Sequence, residues 1–308
     1  MIDHRLHVLR MVAAHGSVTA AATALHFTPS AVSHQLRTLA RDLDVTLLVH
    51  EGRGVRLTAA ARTLLTHADD LFARWEEIKA DLAVASEERA EELRLCGFST
   101  AAAALLPHVA ARSRATRPHL SVRIIEADPD ECFDRLLNGD ADLAVVVSTP
   151  TLPSSLDARF DQEPLLDDPL DLLVPEGHRL ADQSSVSLAD AADEPWILDH
   201  PGRPHHQLVV TACAAAGFTP YHAHEAVEWD TGAALTAAGF GVSMAPRLAR
   251  LPAGYPIVRV PLSGSPSPAR HVLTAVRQGS RRHPAIADAL TFLEEAAARS
   301  RVLSAPSA

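Results

Sequence analysis

The fold is decided by the stretch Thr28-Pro29-Ser30-Ala31-Val32-Ser33-His34-Gln35-Leu36-Arg37-Thr38-Leu39-Ala40-Arg41-Asp42-Leu43. Thr is a good N-cap, and Pro at the first helical position has its φ preset for a helix. The spacing predicts a helix from Pro29 to about Asp42. Val32, Leu36, Leu39 and Leu43 recur at i, i+4, i+7 and i+11 and are expected to face a core. Ser30, Ser33, His34, Arg37 and Arg41 form the opposite stripe. Small hydroxyl residues allow close approach to another surface, and arginine reaches guanine edges or phosphate, so this stripe fits a DNA major groove. An ordinary solvated helix face can carry the same residue types, so the neighbouring sequence has to decide.

Upstream, Ile2, Leu6, Leu9 and Val12/Ala13 repeat at helical spacing, and that helix is expected to end near His15-Gly16. Ser17 then stands before an Ala-rich second helix, Val18 to Leu25, which another helix can approach closely. A short helix, a tight turn and the third helix make a helix-turn-helix. Downstream, Leu47–His50 and Gly54–Leu57 read as two short strands around Glu51-Gly52-Arg53-Gly54. Such a hairpin is a wing, and Arg53 and Arg56 on it suit phosphate or minor-groove contact. Helix, helix, helix and wing in this order point to double-stranded DNA as a partner.

Charge agrees. The 308 residues carry a net −10. Residues 1–65 hold seven Arg against Asp3, Asp42, Asp44 and Glu51, a local +3, which leaves −13 for the rest. A basic end on an acidic body fits a DNA-binding module joined to a domain that avoids DNA. With 47% hydrophobic and 21% charged residues the composition is that of a folded protein. No apolar run reaches the ~18 residues of a membrane span, and the mixed-charge N-terminus lacks a signal-peptide core, so a cytoplasmic protein with no membrane partner is expected.

The segments Ser17–Ala22, Ala31–Leu36 and Gly52–Thr58 resemble the N-terminal domain of LysR-type transcriptional regulators, and the likeness covers nearly all of the first sixty residues. It departs from the family at Ala40, Asp44, Leu48 and His50, around the helix-to-wing corner. The candidate DNA contacts are Thr28, Pro29, Ser30, Ser33, His34, Gln35, Arg37, Arg53 and Arg56.

Thr58 can cap a fourth helix from Ala59 to about Glu88, a span that contains no Gly or Pro. Thirty helical residues span roughly 45 Å. From Ala68 the apolar positions Ala68, Leu71, Trp75, Ile78 and Leu82 advance in steps of 3 and 4, the alternation of a coiled-coil seam. A dimerisation helix is expected. The resemblance implies the same, since the matching family helix pairs two subunits; it leaves open the pairing of dimers into tetramers, and RNA polymerase as a further partner.

From Leu93 the pattern alternates strand and helix. Strands are expected at Leu93–Phe98, Ser121–Glu126, Ala141–Val147, Leu165–Pro175, Trp196–Leu198, Tyr221–Glu225, Val242–Ala245 and Ala269–Val276. Helices are expected through Ala115 and at Pro129–Asn138, His205–Ala216, Thr231–Ala238 and Pro284–Arg299. Strand–helix–strand order implies parallel sheet covered by helices. Two such sets imply two α/β lobes with crossovers near Asp157–Glu163 and Ser263–Pro268, and a ligand site between them at the strand ends. Leu106-Pro107, Asp140–Ala144 and Gly239–Pro246 are similar to the LysR-type effector domain, which resembles a periplasmic binding protein. The expected organisation is a winged helix-turn-helix at 1–58, a linker helix at 59–89 and an effector domain at 90–302, with lobe I at 90–160 and 269–302 and lobe II at 161–268.

Ser99 and Thr100 come directly after the first strand and open a helix, where hydroxyls and free N–H groups favour an anion; the resemblance also places effector contacts there. Val147 and Ser148 in the same lobe, and His200, Arg203 and Thr231 in the other, are further candidates for a small-molecule effector. No cofactor and no resident metal are expected.

Two rival readings arise. Gly97-Phe98-Ser99-Thr100-Ala101 is close to the nucleophile elbow of a hydrolase but lacks its second Gly, and no catalysis is expected. A metal sensor could draw on His200, His205, His206, His222 and His224, but adjacent histidines diverge on a helix. The three cysteines, Cys96, Cys132 and Cys213, are odd in number and far apart. They read as separate buried thiols, with no pair for a redox switch visible in the spacing.

Overall fold

The computed structural model describes residues 2–51, 54–85, 91–264 and 267–303. Three helices open the chain: α1 (His4–His15), α2 (Val18–Ala24) and α3 (Pro29–Asp42). Each starts where a side-chain oxygen accepts a first-turn N–H: Asp3 from Arg5, Ser17 from Ala20 and Thr28 from Ala31. Gly16 ends α1 at φ +67°, a left-handed turn glycine enters without strain. Val32, Leu36 and Leu39 are buried against Val8, Leu9, Met11, Val12, Ala21 and Ala22. Leu43 departs from the expectation and is 46% exposed. It stands past the last residue of α3, and Asp44 at φ +52° turns the chain away. Strands β1 (Leu48–Glu51) and β2 (Gly54–Leu57) form the antiparallel wing, with Val49 opposite Arg56.

Helix α4 (Ala59–Ala85) starts at Thr58, whose hydroxyl accepts the Ala61 N–H and donates to the Thr46 carbonyl. The expected continuation to Glu88 falls partly outside the described residues. The helix is tied to α1 of the DNA head by Arg10–Asp69 (2.8 Å) and to the C-terminal region by Arg277–Glu76 (3.0 Å). Gly279 lies so close to the Ala73 carbonyl that a Cβ there would collide with it.

The C-terminal region has strands β3 (Glu91–Gly97), β4 (Leu120–Glu126), β5 (Leu143–Val147), β6 (Phe160–Pro175), β7 (Val186–Ser187), β8 (Pro195–Leu198), β9 (Tyr221–Glu225), β10 (Ser243–Pro246), β11 (Ile257–Ser263) and β12 (Ala269–Arg277). Its helices are α5 (Ser99–Ala104), α6 (Leu106–Thr116), α7 (Pro129–Asn138), α8 (Pro204–Ala215), α9 (Trp229–Ala237) and α10 (Pro284–Leu303), with a 3-10 turn at Leu188–Ala191. The main sheet runs β4-β3-β5-β12-β6-β11-β7, with β10 also on β6, and β8 pairs β9 separately. β4, β3 and β5 are parallel, whereas β12 is antiparallel to both β5 and β6.

Alternation along the strands splits lobe I into two cores. Leu95, Leu143 and Val145 face α5, α6 and α10, while Cys96, Ala144 and Val146 face α7. The α7 side is continuous with the helix-turn-helix core. Lobe II packs separately around Trp196, Leu170, Leu172 and Val209.

The first crossover differs from the expectation. β6 begins at Phe160, pairs with β12 up to Pro169, and then pairs with β10 and β11 from Leu170. The chain thus passes from lobe I to lobe II inside one continuous strand near Asp168–Leu170, and not at Asp157–Glu163 or at the expected boundary of 160. An unbroken strand gives no loop signal, which is why the sequence pattern misplaced it. The return crossover joins β11 to β12. β11 itself was not expected, because Pro261 interrupts its alternation. The expected single helix after β3 breaks into α5 and α6 around Leu105, just before Pro107.

Candidate DNA-binding face and effector cleft

On α3, Thr28, Pro29, Ser30, His34 and Arg37 are exposed, and Ser33 and Gln35 are half-buried. The hydroxyls of Thr28 and Ser30 lie 3.0 Å apart. Gln35 points its amide oxygen into the protein, where it has no partner among the described residues. Arg56 on the wing lies 3.2 Å from Glu51. Arg53 lies outside the described residues. Among the described residues Arg37 and His34 on the exposed stripe of α3 have no ion-pair partner, whereas Arg41 lies 3.8 Å from Asp42.

On α4, Leu71 is 53%, Trp75 43% and Leu82 60% exposed, with Ile78 half-buried and Ala68 buried against its own chain. Large apolar side chains left in water along one side of a helix are what an unpartnered seam looks like.

Where the lobes meet, Arg270 is buried, 7% exposed, against Asp168, 1% exposed. Its Nη2 donates to Asp168 (2.5 Å) and to the Thr100 hydroxyl (2.8 Å), and its Nε donates to Asp168 (3.2 Å). The guanidinium lies 5.0 Å from the Phe98 ring centroid and 5.8 Å from that of Trp229. Burial lowers the pKa of Arg270, and Asp168 opposes that. On the lobe II side the His205 ring meets Trp229 edge-on at 4.7 Å, and its Nε2 is 3.1 Å from the Met244 carbonyl. A carbonyl only accepts, so Nε2 carries the proton and Nδ1 keeps a lone pair, buried without a partner among the described residues. His205 also lines a cavity of about 30 Å³ with Asp199, Trp229 and Ser243. Burial pushes its pKa down to about 4, so the ring is neutral at pH 7.

Residues 4–62 match the model described as the bacterial regulatory helix-turn-helix protein, lysR family, and residues 86–298 match the LysR substrate binding domain. The chain belongs to the LysR family of transcriptional regulators. It is 28% identical over 218 residues to the transcriptional dual regulator GltC of Bacillus subtilis, covering 70% of this chain and 71% of that one. It is 27% identical over 290 residues to the DNA-binding transcriptional dual regulator OxyR of Escherichia coli, covering 92% and 93%. Among solved structures, a full-length OxyR variant from Pseudomonas aeruginosa aligns at a TM-score of 0.62 with 23% identity, covering 94% of this chain and 93% of that one. CbnR, a LysR family transcriptional regulator, aligns at 0.55 with 24% identity, covering 95% and 100%. These structural likenesses show the shared fold.

As a LysR-type regulator, this chain has a helix-turn-helix that binds DNA and an effector-binding domain. The expected effector residues separate into three groups. Thr100 is buried at the lobe junction on Arg270, with Ser99 exposed beside it as the first residue of α5. Val147 and Ser148 end β5, where the Ser148 N–H donates to the His271 carbonyl. His200, Arg203 and Thr231 are exposed, and Arg203 is drawn to Asp199 at 3.1 Å. Arg270, Asp168, His205 and Trp229 were missed. The available signal was Arg270 near the start of the strand Ala269–Val276, with Asp167-Asp168 in the strand that pairs with it.

For the rival readings, among the described residues no histidine or carboxylate hydrogen-bonds Ser99. His206 and His222 have rings 6.0 Å apart, but no three His, Cys, Asp or Glu side chains converge as a metal site among the described residues. No described helix is long and apolar enough to cross a membrane. The cysteine expectation is corrected. Cys96 and Cys132 are free thiols with their Sγ atoms 3.0 Å apart, because α7 packs directly on β3.

Proposed function

We propose that this LysR-type regulator is a cytoplasmic homodimer that reads a roughly two-fold operator and answers to a small anionic effector bound between the lobes. The carrying observation is the Arg270 guanidinium, buried at the lobe junction and shared by the lobe I hydroxyl of Thr100 and the carboxylate of Asp168. The Asp168 carboxylate stands in for the effector's anionic group; an effector carboxylate takes up Arg270, Thr100 and Ser99 by displacing the Asp168 side chain from the guanidinium. The lone pair of His205 Nδ1 then asks for a hydroxyl or N–H donor on the same molecule. Two α4 helices pair through Leu71, Trp75, Ile78 and Leu82, with Ala68 at the head of the seam. They set the spacing of two α3 helices, whose Ser30, Ser33, His34 and Arg37 read bases while Arg53 and Arg56 hold the backbone, with Thr28, Pro29 and Gln35 as further DNA contacts. RNA polymerase is the downstream partner.

Effector binding biases the lobe arrangement only by its differential affinity for the two states. The test is thermal stabilisation of the full-length protein by a panel of hydroxy-carboxylates and their uncharged amides. A carboxylate is expected to raise Tm and shift operator affinity, its amide to do neither, and Arg270→Gln to abolish both responses. A carboxylate that acts equally on Arg270→Gln would place the sensing site elsewhere.

A further inference from the structure

Cys96 lies in β3 on the face opposite Leu95, and Cys132 in the first turn of α7 packs over it. Both residues are fully buried, and their sulfurs are 3.0 Å apart. Cys132 Sγ is also 3.5 Å from the Ala127 carbonyl. Cys213 belongs to the separate core of lobe II. The contact with Cys132, helped by the nearby Arg135 guanidinium, lowers the pKa of the Cys96 thiol against the opposing effect of burial, while the same contact and burial raise Cys132. The pair is therefore asymmetric, with Cys96 the better nucleophile.

We propose that Cys96 and Cys132 form a two-thiol site that a hydroperoxide converts to a disulfide, and that this bond changes how the helix-turn-helix is held and hence its DNA affinity. Enclosure selects the oxidant. A small uncharged peroxide can diffuse between core side chains, whereas a bulky peptide disulfide cannot reach a sulfur with no exposed surface. The Cys96 thiolate, its proton released to solvent, attacks one peroxide oxygen. The O–O bond breaks, and the departing alkoxide or hydroxide takes the Cys132 proton. Cys96 is left as a sulfenic acid. The Cys132 thiolate then attacks the Cys96 sulfur and expels hydroxide, which takes up the proton first released. Two thiols and one hydroperoxide thus give one disulfide, one alcohol (water, from hydrogen peroxide) and one water.

Helix α7 connects this site to the DNA head. Cys132 and Leu136 face the sheet, while Asp134 and Asn138 face the other way. Asp134 lies 3.0 Å from His15 Nε2 on α1. The Asn138 amide donates to the Ala24 carbonyl (2.9 Å), and its oxygen lies 3.1 Å from His7 Nε2. A disulfide needs sulfurs about 2.05 Å apart, so the first turn of α7 has to move toward β3, and its outer face moves with it. The site is remote from Arg270 in its interactions, so its failure would leave the effector reading intact.

The test uses the full-length protein treated with hydrogen peroxide, then unfolded, alkylated with N-ethylmaleimide and weighed. Oxidation is expected to remove two of the three alkylations, with a Cys96–Cys132 cross-linked peptide, Cys213 still alkylated, and reversal by dithiothreitol. A duplex selected from a random library by the reduced protein is then titrated with reduced and oxidised protein. A several-fold change in Kd is expected, lost in Cys96→Ser and Cys132→Ser and kept in Cys213→Ser. Should the serine variants misfold, the wild-type masses and titrations alone carry the test. Three alkylations surviving peroxide, a bond that uses Cys213, or a Cys96–Cys132 bond that leaves Kd unchanged would each overturn the proposal.

Discussion

Arg270 and Asp168 stand directly opposite each other on antiparallel strands, β12 and β6, and their side chains form an ion pair in which both partners are buried. The pair sits where β6 leaves lobe I, and Asp168 also accepts the Leu248 N–H at 3.0 Å. Replacing both charges by apolar groups can be nearly neutral, but removing one strands the other in a low-dielectric site. Arg270→Met is therefore expected to cost about 3–5 kcal/mol, read as a lower urea midpoint for the full chain. A loss below about 1 kcal/mol would mean that water reaches Asp168.

Removal of the Arg37 or His34 side chain should relax sequence preference at one operator position by about 1–3 kcal/mol. Arg56 has a different role on the wing, where it lies beside Glu51. Arg56→Ala should weaken binding to every sequence and lower the salt slope by about one phosphate. Footprints and salt titrations separate the two. A footprint unchanged in the double variant His34→Ala, Arg37→Ala would remove α3 from the groove.

The seam can be tested without disturbing the protomer, because Leu71 and Leu82 are more than half exposed in the single chain. Leu71→Glu with Leu82→Glu should keep the circular dichroism and urea midpoint of the fold yet sediment as a monomer, since two charges would be buried unpaired in a dimer. A dimer that persists and binds its operator normally would move the interface off this face.

Acid should loosen the fold through two histidines. Burial pushes His7 and His205 each down to about 4. Both folded-state values lie below the unfolded value near 6.5, so the unfolded chain binds more protons between the two. Stability from these residues is complete above about pH 6.5 and is lost as pH falls toward 4, by up to about 3 kcal/mol each. Urea midpoints at pH 7 and pH 5 measure the slope, and His7→Gln, which can still reach Asn138, should flatten it. An unchanged slope in that variant would show that His7 titrates normally.

The helices of the DNA head were legible because they carry their own punctuation: Thr28 as a cap, Pro29 at the first turn, Gly16 at the end of α1. Asn138-Gly139 closes α7 in the same way, with Gly139 at φ +76°. What escaped is long-range. Cys96 and Cys132 are separated by 36 positions, and only the docking of α7 on β3 brings them together. Arg270 and Asp168 depend on a strand register that periodicity does not encode. The exposed Leu43 shows the opposite error, a helical repeat projected one residue beyond the helix that supports it.

Because β6 serves both lobes, the two halves of the effector domain are mounted in series on a single ribbon. Near the passage the β6–β12 register shifts, with Val272 opposite Leu166 and Leu273 opposite Pro164, as in a β-bulge. A bulge raises local twist. Any rotation of one lobe against the other would therefore twist this short stretch of strand. If an effector turns one lobe against the other, as the proposed reading requires, the twist falls on this shared strand rather than on a loop.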